Sequence, residues 1–323
     1  MILKKTSLLL LFFCTFLHCD DNQKFVLRSR LGAGFFCELN TVLSHIILMS
    51  CNEPAGREIE VNWSEEFFPY KKGKSENGWD LFFYPVGHVA SRKSVNHSEI
   101  VHDQNCLNKW LKYNDFYQYR VQVNKLINRY IKVRQEIIDE VDDYYNSHMN
   151  NKVCIGAHVR FAGAHANEKP GSVSLDDYFD EIDALIKHLK QIKQKYRIYL
   201  ATDSKYVVKK FQKKYKDRVL CIDAIRSDFN EEVHLIYDNS DYWLSHPQEF
   251  HEKKPGYKGG KDVLMDCLLL SKCHYFIHST SNVSDFVTFF NPDIESLFLP
   301  KKIVAKERTC LACNAQNKWH NTL

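Results

Sequence analysis

The sequence predicts an α/β protein whose C-terminal half is a parallel, doubly wound sheet, and three observations lead there. Apolar strand-like runs alternate with amphipathic helical segments from about residue 153 to residue 290. The first run, Val153-Cys154-Ile155-Gly156-Ala157-His158-Val159, is almost continuously apolar, as a strand covered on both faces must be. The first helical segment opens on Ser174-x-x-Asp177, a variant of the capping box.

The elements follow in order. Lys24 to Leu27 reads as a short strand, and Gly32-Ala33-Gly34 opens an apolar helix through about Met49. Glu58 to Trp63 alternates as a strand does, and Leu81 to Tyr84 is a further strand candidate. From Phe116 to Ser147 the spacing of Val123, Leu126, Ile127, Tyr130, Ile131, Ile137, Ile138 and Val141 is helical and predicts one long helix, followed by a polar hinge over 148–152. In the second half, Phe179, Ile182, Leu185, Ile186, Leu189 and Ile192 form the buried stripe of the helix that starts at Ser174. Strands are expected at 198–202, 219–222 and 275–278, and helices at 206–215, 261–270 and 282–290. The expected domains are 20–150 and 151–300, with a tail over 301–323.

Composition limits the function. Apolar residues make up 44% of the 323 residues and charged residues 26%, which are globular values, so a wholly disordered chain is excluded. A net charge of +4 with mixed signs argues against a nucleic-acid binder. Lys4 and Lys5 precede an apolar run from Leu8 to Leu17, too short to span a bilayer as a helix. Residues 1–19 therefore read as a signal peptide, or else a short anchor that makes the chain's only membrane contact, and predict the secretory pathway or export. The 11 cysteines suit an oxidising compartment; with Cys14 and Cys19 in the leader an odd number remains, so at least one thiol is unpaired. Cys310-Leu-Ala-Cys313 lacks a second pair and reads as a tail disulfide or two thiols rather than a zinc site.

In a doubly wound sheet, ligands bind outside the carboxyl ends of the strands. Four clusters are expected there: His158-Val159-Arg160, Thr202-Asp203-Ser204, Gly259-Gly260-Lys261 with Asp266, and His278-Ser279-Thr280-Ser281-Asn282. A cation, carboxylates, hydroxyls and a helix N-terminus in one crevice suit a nucleotide pyrophosphate. Gly32 and Gly34 either make a tight turn or form a loop facing the cleft. They are not a dinucleotide fingerprint, because Cys37 takes the third glycine position.

The segment Ile155-Gly156-Ala157-His158-Val159-Arg160 resembles the H-x-R motif of GDP-fucose-dependent fucosyltransferases. Ser174 to Phe179, Ile198 to Asp203, Val263-Leu264-Met265-Asp266 with Leu270 to Cys273, and His278 to Asn282 follow in the order seen there. Arg28 to Asn40 is similar to the glycine loop of the family's first domain, and the nearest kin are the α1,6-fucosyltransferases of the rhizobial nodulation and core N-glycan types. The resemblance implies a GT-B fold: two Rossmann-like domains facing across a cleft, with the acceptor on the N-terminal side and GDP-sugar bound by the C-terminal domain.

It also implies metal-independent inverting transfer of fucose from GDP-fucose to a glycan or glycoprotein, with no cofactor beyond that donor. The chain has no strict D-x-D pair for a metal-bound sugar nucleotide. By the same resemblance Arg160 holds the β-phosphate, His158 and Asp266 read guanine, Ser281 and Asn282 touch phosphate, Asp203 orients Arg160, Gly32 and Gly34 line the donor site, and Glu168 is the base. The run Phe161 to His165 departs from the polar run of the core type, which leaves the acceptor open. Two alternatives stand beside this reading: protein O-fucosylation on Ser or Thr, and a secreted carbohydrate-binding protein without turnover.

Overall fold

The computed structural model describes residues 24–29, 33–52, 57–65, 68–73, 76–89, 116–160, 173–227 and 254–299, with positions 245 and 248. The expected α/β architecture is present, with a parallel strand pair in the N-terminal half and a fully parallel sheet in the C-terminal half. In the N-terminal half, β1 (Phe25–Arg28), α1 (Phe35–Asn52) and β2 (Arg57–Asn62) form a strand–helix–strand unit in which β1 and β2 pair in parallel. The short strand β3 (Gly87–Val89) adds to β2 in antiparallel fashion. Leu81 to Tyr84, expected as a strand, is instead the end of a 3₁₀ turn (Gly78–Leu81) followed by one bridge at Phe83. Asn77 caps that turn, its side chain accepting from Trp79 N–H, and this favours a tight turn over an extended run.

The expected long helix is two: α2 (Phe116–Tyr130) and α3 (Gln135–Tyr144). The break comes from a distant partner. Tyr84 N–H donates to Lys132 O at 2.8 Å, Arg134 N–H donates to Phe82 O at 2.9 Å, and Phe83 bridges Val133. The backbone at 132–134 thus pairs with another segment rather than with its own helix. A π-helical turn, Tyr145–Met149, then leads into the second sheet.

That sheet has the order β6-β5-β4-β7-β8, with every neighbouring pair parallel. Its strands are β4 (Val153–Val159), β5 (Tyr196–Thr202), β6 (Val219–Leu220), β7 (Tyr275–His278) and β8 (Glu295–Phe298). Helices α4 (Leu175–Gln191) and α5 (Lys205–Tyr215) cover one face through Ile182, Leu189, Val207 and Phe211. Helices α6 (Gly256–Ser271) and α7 (Asn282–Phe290) cover the other. Gly156 lets α6 lie close on β4, since a Cβ there would stand 2.9 Å from Leu270 Cδ2 and 3.1 Å from Cys273 Sγ. The capping box at Ser174 forms in full.

The α6/α7 layer shares one buried core with the N-terminal half. Phe36 of α1 packs on Phe286 of α7 at 5.2 Å between ring centroids, and Gly260 of α6 has no room for a Cβ beside Phe82 and Tyr70. Lys261–Glu140 and Lys272–Asp142 ion pairs join α6 and its C-terminal end to α3. Cys154, Cys221, Cys267 and Cys273 are free thiols, more than the odd cysteine count requires. Burial raises the Cys154 thiol to about 11, so it stays protonated. Residues 1–23 and the Cys310–Cys313 pair lie outside the described residues. Among the described residues no helix is long and apolar enough to cross a membrane.

Candidate active site at the C-terminal edge of the parallel sheet

Side chains alternate along a strand, so Cys154, Gly156 and His158 share the face of β4 that meets α6 and α7. Register sets His158 beside Ala201 of β5 and His278 of β7, one residue from the end of β4. Arg160, just past the strand, is exposed. His158 is buried at 9% exposure, and its Nδ1 lies 3.0 Å from Ser284 Oγ and 3.3 Å from Ser281 Oγ. Burial is the main cause that lowers its pKa to about 4; Asp203 opposes the shift and Arg160 adds to it. The ring is therefore neutral at physiological pH.

Ser281 is the N-cap of α7, its hydroxyl accepting from Ser284 N–H at 3.0 Å. That cap satisfies one of the N–H groups that every helix leaves open in its first turn, and Asn282 is the first residue of that turn. Across the sheet edge, Tyr178 of α4 donates its hydroxyl to His158 O at 2.9 Å and lies 3.3 Å from Ser279 Oγ. His278 Nδ1 faces Ser279 O at 3.2 Å, which requires that nitrogen to carry the proton, so Nε2 accepts from Ser296 Oγ at 2.7 Å. Burial lowers the His278 pKa to about 3.

Asp203 follows β5, and its charge favours protonation of His158. Its carbonyl accepts from Ser227 N–H at 2.9 Å and from Ser227 Oγ at 3.2 Å, which docks the segment 222–227 on the sheet edge. Arg226 donates from the same segment to Thr202 O at 3.2 Å and Ile222 O at 2.9 Å. Asp266 lies deeper. It is buried between α6 and β5, where Tyr199 donates to Oδ1 at 2.6 Å, three residues down the strand from Thr202. Burial pushes its carboxyl up to about 7, against the Tyr199 hydrogen bond and the Arg226 charge, which both lower it.

The sheet edge thus brings together His158, Arg160, Asp203, Ser281 and Asn282, while Asp266 belongs to the neighbouring Tyr199–Arg226 cluster. Gly34 opens α1, its carbonyl accepting from Cys37 and Glu38 N–H, and the space where a Cβ would stand is open. Gly32 and Glu168 lie outside the described residues. Sequence reasoning did not single out Tyr178, Ser284, Tyr199 or Arg226. Ser284 had a readable signal, a hydroxyl three residues after Ser281 in an apolar helix; Tyr178 and Tyr199 look like ordinary core residues in their patterns.

The arrangement offers a cation and a helix N-terminus to an anion, with buried hydroxyls and neutral imidazoles beneath them. Comparison with known proteins gives structural likenesses at low identity. The NodZ α-1,6-fucosyltransferase co-crystallised with GDP is 16% identical over 83% of this chain and 92% of that chain, with a TM-score of 0.48. The fucosyltransferase NodZ from Bradyrhizobium is likewise 16% identical over the same shares, with a TM-score of 0.45. POFUT1 in complex with GDP-fucose is 9% identical over 87% of this chain and 99% of that chain, with a TM-score of 0.46. No curated protein matches the chain in sequence. The family model of nodulation protein Z matches residues 115–312, well over half of the chain and all of the parallel sheet, and the protein belongs to the NodZ family.

Proposed function

We propose that this protein moves fucose from GDP-fucose to a sugar hydroxyl, inverting the anomeric centre without a metal, and that the acceptor is a GlcNAc-containing glycan or chitooligosaccharide joined in α1,6 fashion. Membership of the NodZ family supports the enzyme reading. The observation that carries the donor half is the N-terminus of α7 at the C-terminal edge of the sheet, where the His158 ring meets the Ser281 cap and Ser284 and where β4 delivers Arg160 one residue past its end.

In the proposed step the acceptor oxygen attacks the anomeric carbon of fucose as the bond from that carbon to the β-phosphate oxygen breaks. The electron pair leaves with GDP. Arg160 offsets the charge that grows on the β-phosphate, a role worth most when the cation is held in place beforehand. The first-turn N–H groups at Asn282 and Val283 take further phosphate oxygens. The acceptor proton passes to Glu168 as general base. Asp266 is the carboxylate proposed for guanine, through the oxygen that Tyr199 does not take, which requires the base to reach past the sheet edge to the Tyr199 cluster.

The test is transfer from GDP-fucose in EDTA to chitooligosaccharide, to an N-glycan core and to a folded disulfide-bonded domain, read as GDP release and the mass of one added deoxyhexose. Transfer to a sugar acceptor is expected. Transfer only to Ser or Thr of the folded domain would replace it with protein O-fucosylation. Turnover that needs added Mg²⁺ or Mn²⁺ would overturn the metal-independent step.

A further inference from the structure

We infer that the face formed by the C-terminal halves of α4 and α5, at the N-terminal edge of the sheet, is a docking surface for an anionic lipid bilayer. It lies at the opposite end of the strands from the candidate active site, so a docked molecule presents that site to solvent. The inference does not depend on the identity of the donor.

Charge is unevenly spread along the chain. Residues 187–218 hold ten lysines and two arginines against Asp203 and Asp217, a net charge of +10, whereas the whole chain is +4, so the rest of the sequence is net −6. The division runs through α4 itself, which carries Asp176, Asp180 and Asp183 in its first half and Lys187 and Lys190 in its second. Helix α4 runs from the end of β4 to the start of β5, and α5 from the end of β5 to the start of β6. Both therefore point their C-terminal ends at the N-terminal edge of the parallel sheet. Two bonds fix the place: Lys195 O accepts from Val153 N–H at 2.9 Å at the start of β4, and Arg197 donates to Asp217 O at 2.8 Å. The 7 residues of β5 separate this pole from the candidate site by roughly 20 Å.

The charge is open to solvent. Lys187, Lys190, Lys193, Lys213 and Lys216 are exposed, and among the described residues none of them enters an ion pair, while Lys214 is paired with Asp183 and Arg197 with Asp217. The helix dipole accounts for cations in a last turn, as at Lys190 and Lys213, but not for Lys187 before it or Lys195 and Arg218 beyond it. Lys193 and Lys216 stand at φ 57° and 56°, the left-handed conformation in which a helix end favours glycine, so the chain carries charge where the backbone favours no side chain. Ile192, the C-cap of α4, is 51% exposed between Lys190 and Lys193. An apolar tip ringed by ammonium groups fits a bilayer interface, where the amines meet headgroups and the apolar atoms enter the acyl boundary. Nucleic acid is recognised instead through guanidinium forks and stacked aromatic rings, and this face offers mostly lysines, which are hydrated point charges.

The test is sedimentation of the full chain with vesicles of phosphatidylcholine alone and of phosphatidylcholine mixed with phosphatidylglycerol, at low and at high salt. Binding is expected only to the anionic vesicles, and it is lost at high salt. Each lysine near such a surface strengthens binding about fivefold, so Lys190→Gln, Lys193→Gln and Lys216→Gln together are expected to lower it about 10²-fold. The same loss of charge on and just after α2, by Lys125→Gln, Arg129→Gln and Lys132→Gln together, is expected to change it less than about threefold. Ile192→Ser is expected to weaken vesicle binding several-fold with the charge intact. Equal binding to both kinds of vesicle, or equal loss in the two triple variants, would overturn the inference. Unchanged binding in the Lys190, Lys193 and Lys216 variant would overturn it too, by placing the membrane contact elsewhere, such as residues 1–19. Binding of a DNA duplex without binding of anionic vesicles would overturn it in favour of nucleic acid.

Discussion

On one face of the C-terminal sheet, under α4 and α5, the packing is made by Ile155, Ile182, Ile198, Leu200, Val207, Phe211 and Ile277. On the other, under α6 and α7, Leu264, Leu269, Phe276 and Phe286 share the interior with His158, Asp266, His278 and Ser284. Polar groups in a low-dielectric interior lower stability unless each is bonded. Here each has a partner: Ser284 for His158, Tyr199 for Asp266, Ser296 for His278. Apart from the Tyr178 hydroxyl, one face is a scaffold set by volume and shape, and the other is a bonded network beneath the sheet edge.

The sharpest break of the scaffold face is Phe211→Ala. Phe211 is fully buried against Phe179 and Tyr215, and its truncation is expected to cost about 3–5 kcal/mol in urea unfolding. The folded variant keeps wild-type GDP affinity; a selective loss of nucleotide binding would blur the division between the faces. On the network face, Arg160→Ala is expected to slow fucose transfer by about 10²–10³-fold while the unfolding midpoint stays within error. A near-wild-type rate would take Arg160 out of the mechanism.

The network's buried titrating groups pull in opposite directions with pH. Burial raises the Asp266 pKa from 3.8 to about 7, so the stability this group adds is full below about pH 4 and is lost as pH rises through 7. His158 is lowered from 6.5 to about 4 and His278 to about 3, so their contributions are full above 6.5 and are lost as pH falls through those values. Asp266→Asn removes only the first slope. Its stability relative to wild type is expected to improve by about 1–3 kcal/mol between pH 5 and pH 8, measured by urea unfolding at each pH. No change in that difference would mean that the Asp266 carboxyl titrates normally. The smallest effect belongs to the scaffold face, where Ser174→Ala dissolves the capping box of α4 at about 1 kcal/mol without altering turnover.

What could be read from the sequence followed the same division. Strands β4 and β7 and helix α7 begin and end where periodicity and caps set them, because a strand buried on both faces and a Ser-capped apolar helix are local patterns. Arg160 and the Ser281 cap were legible as strand-end polar groups for the same reason. The split of α2 from α3 was not, since the segment that breaks the helix, Phe82 to Tyr84, is some fifty residues away. Strand β8, Glu295–Phe298, is not marked in the sequence because Glu295 and Ser296 leave it only two adjacent apolar residues. The bonds Ser284–His158 and Tyr199–Asp266 span 126 and 67 residues, and nothing in either local pattern marks its partner. Asp266 lies deeper than a strand-end group because α6 sets it against Tyr199, three residues before the end of β5.

The most direct test of the central claim is calorimetric titration of the protein with GDP, GDP-fucose and UDP in EDTA, beside Arg160→Ala. Micromolar binding of GDP and GDP-fucose, much weaker binding of UDP, and loss of the GDP signal in the variant are expected. Folded wild-type protein that binds no guanine nucleotide, or that binds GDP equally well without Arg160, would contradict it.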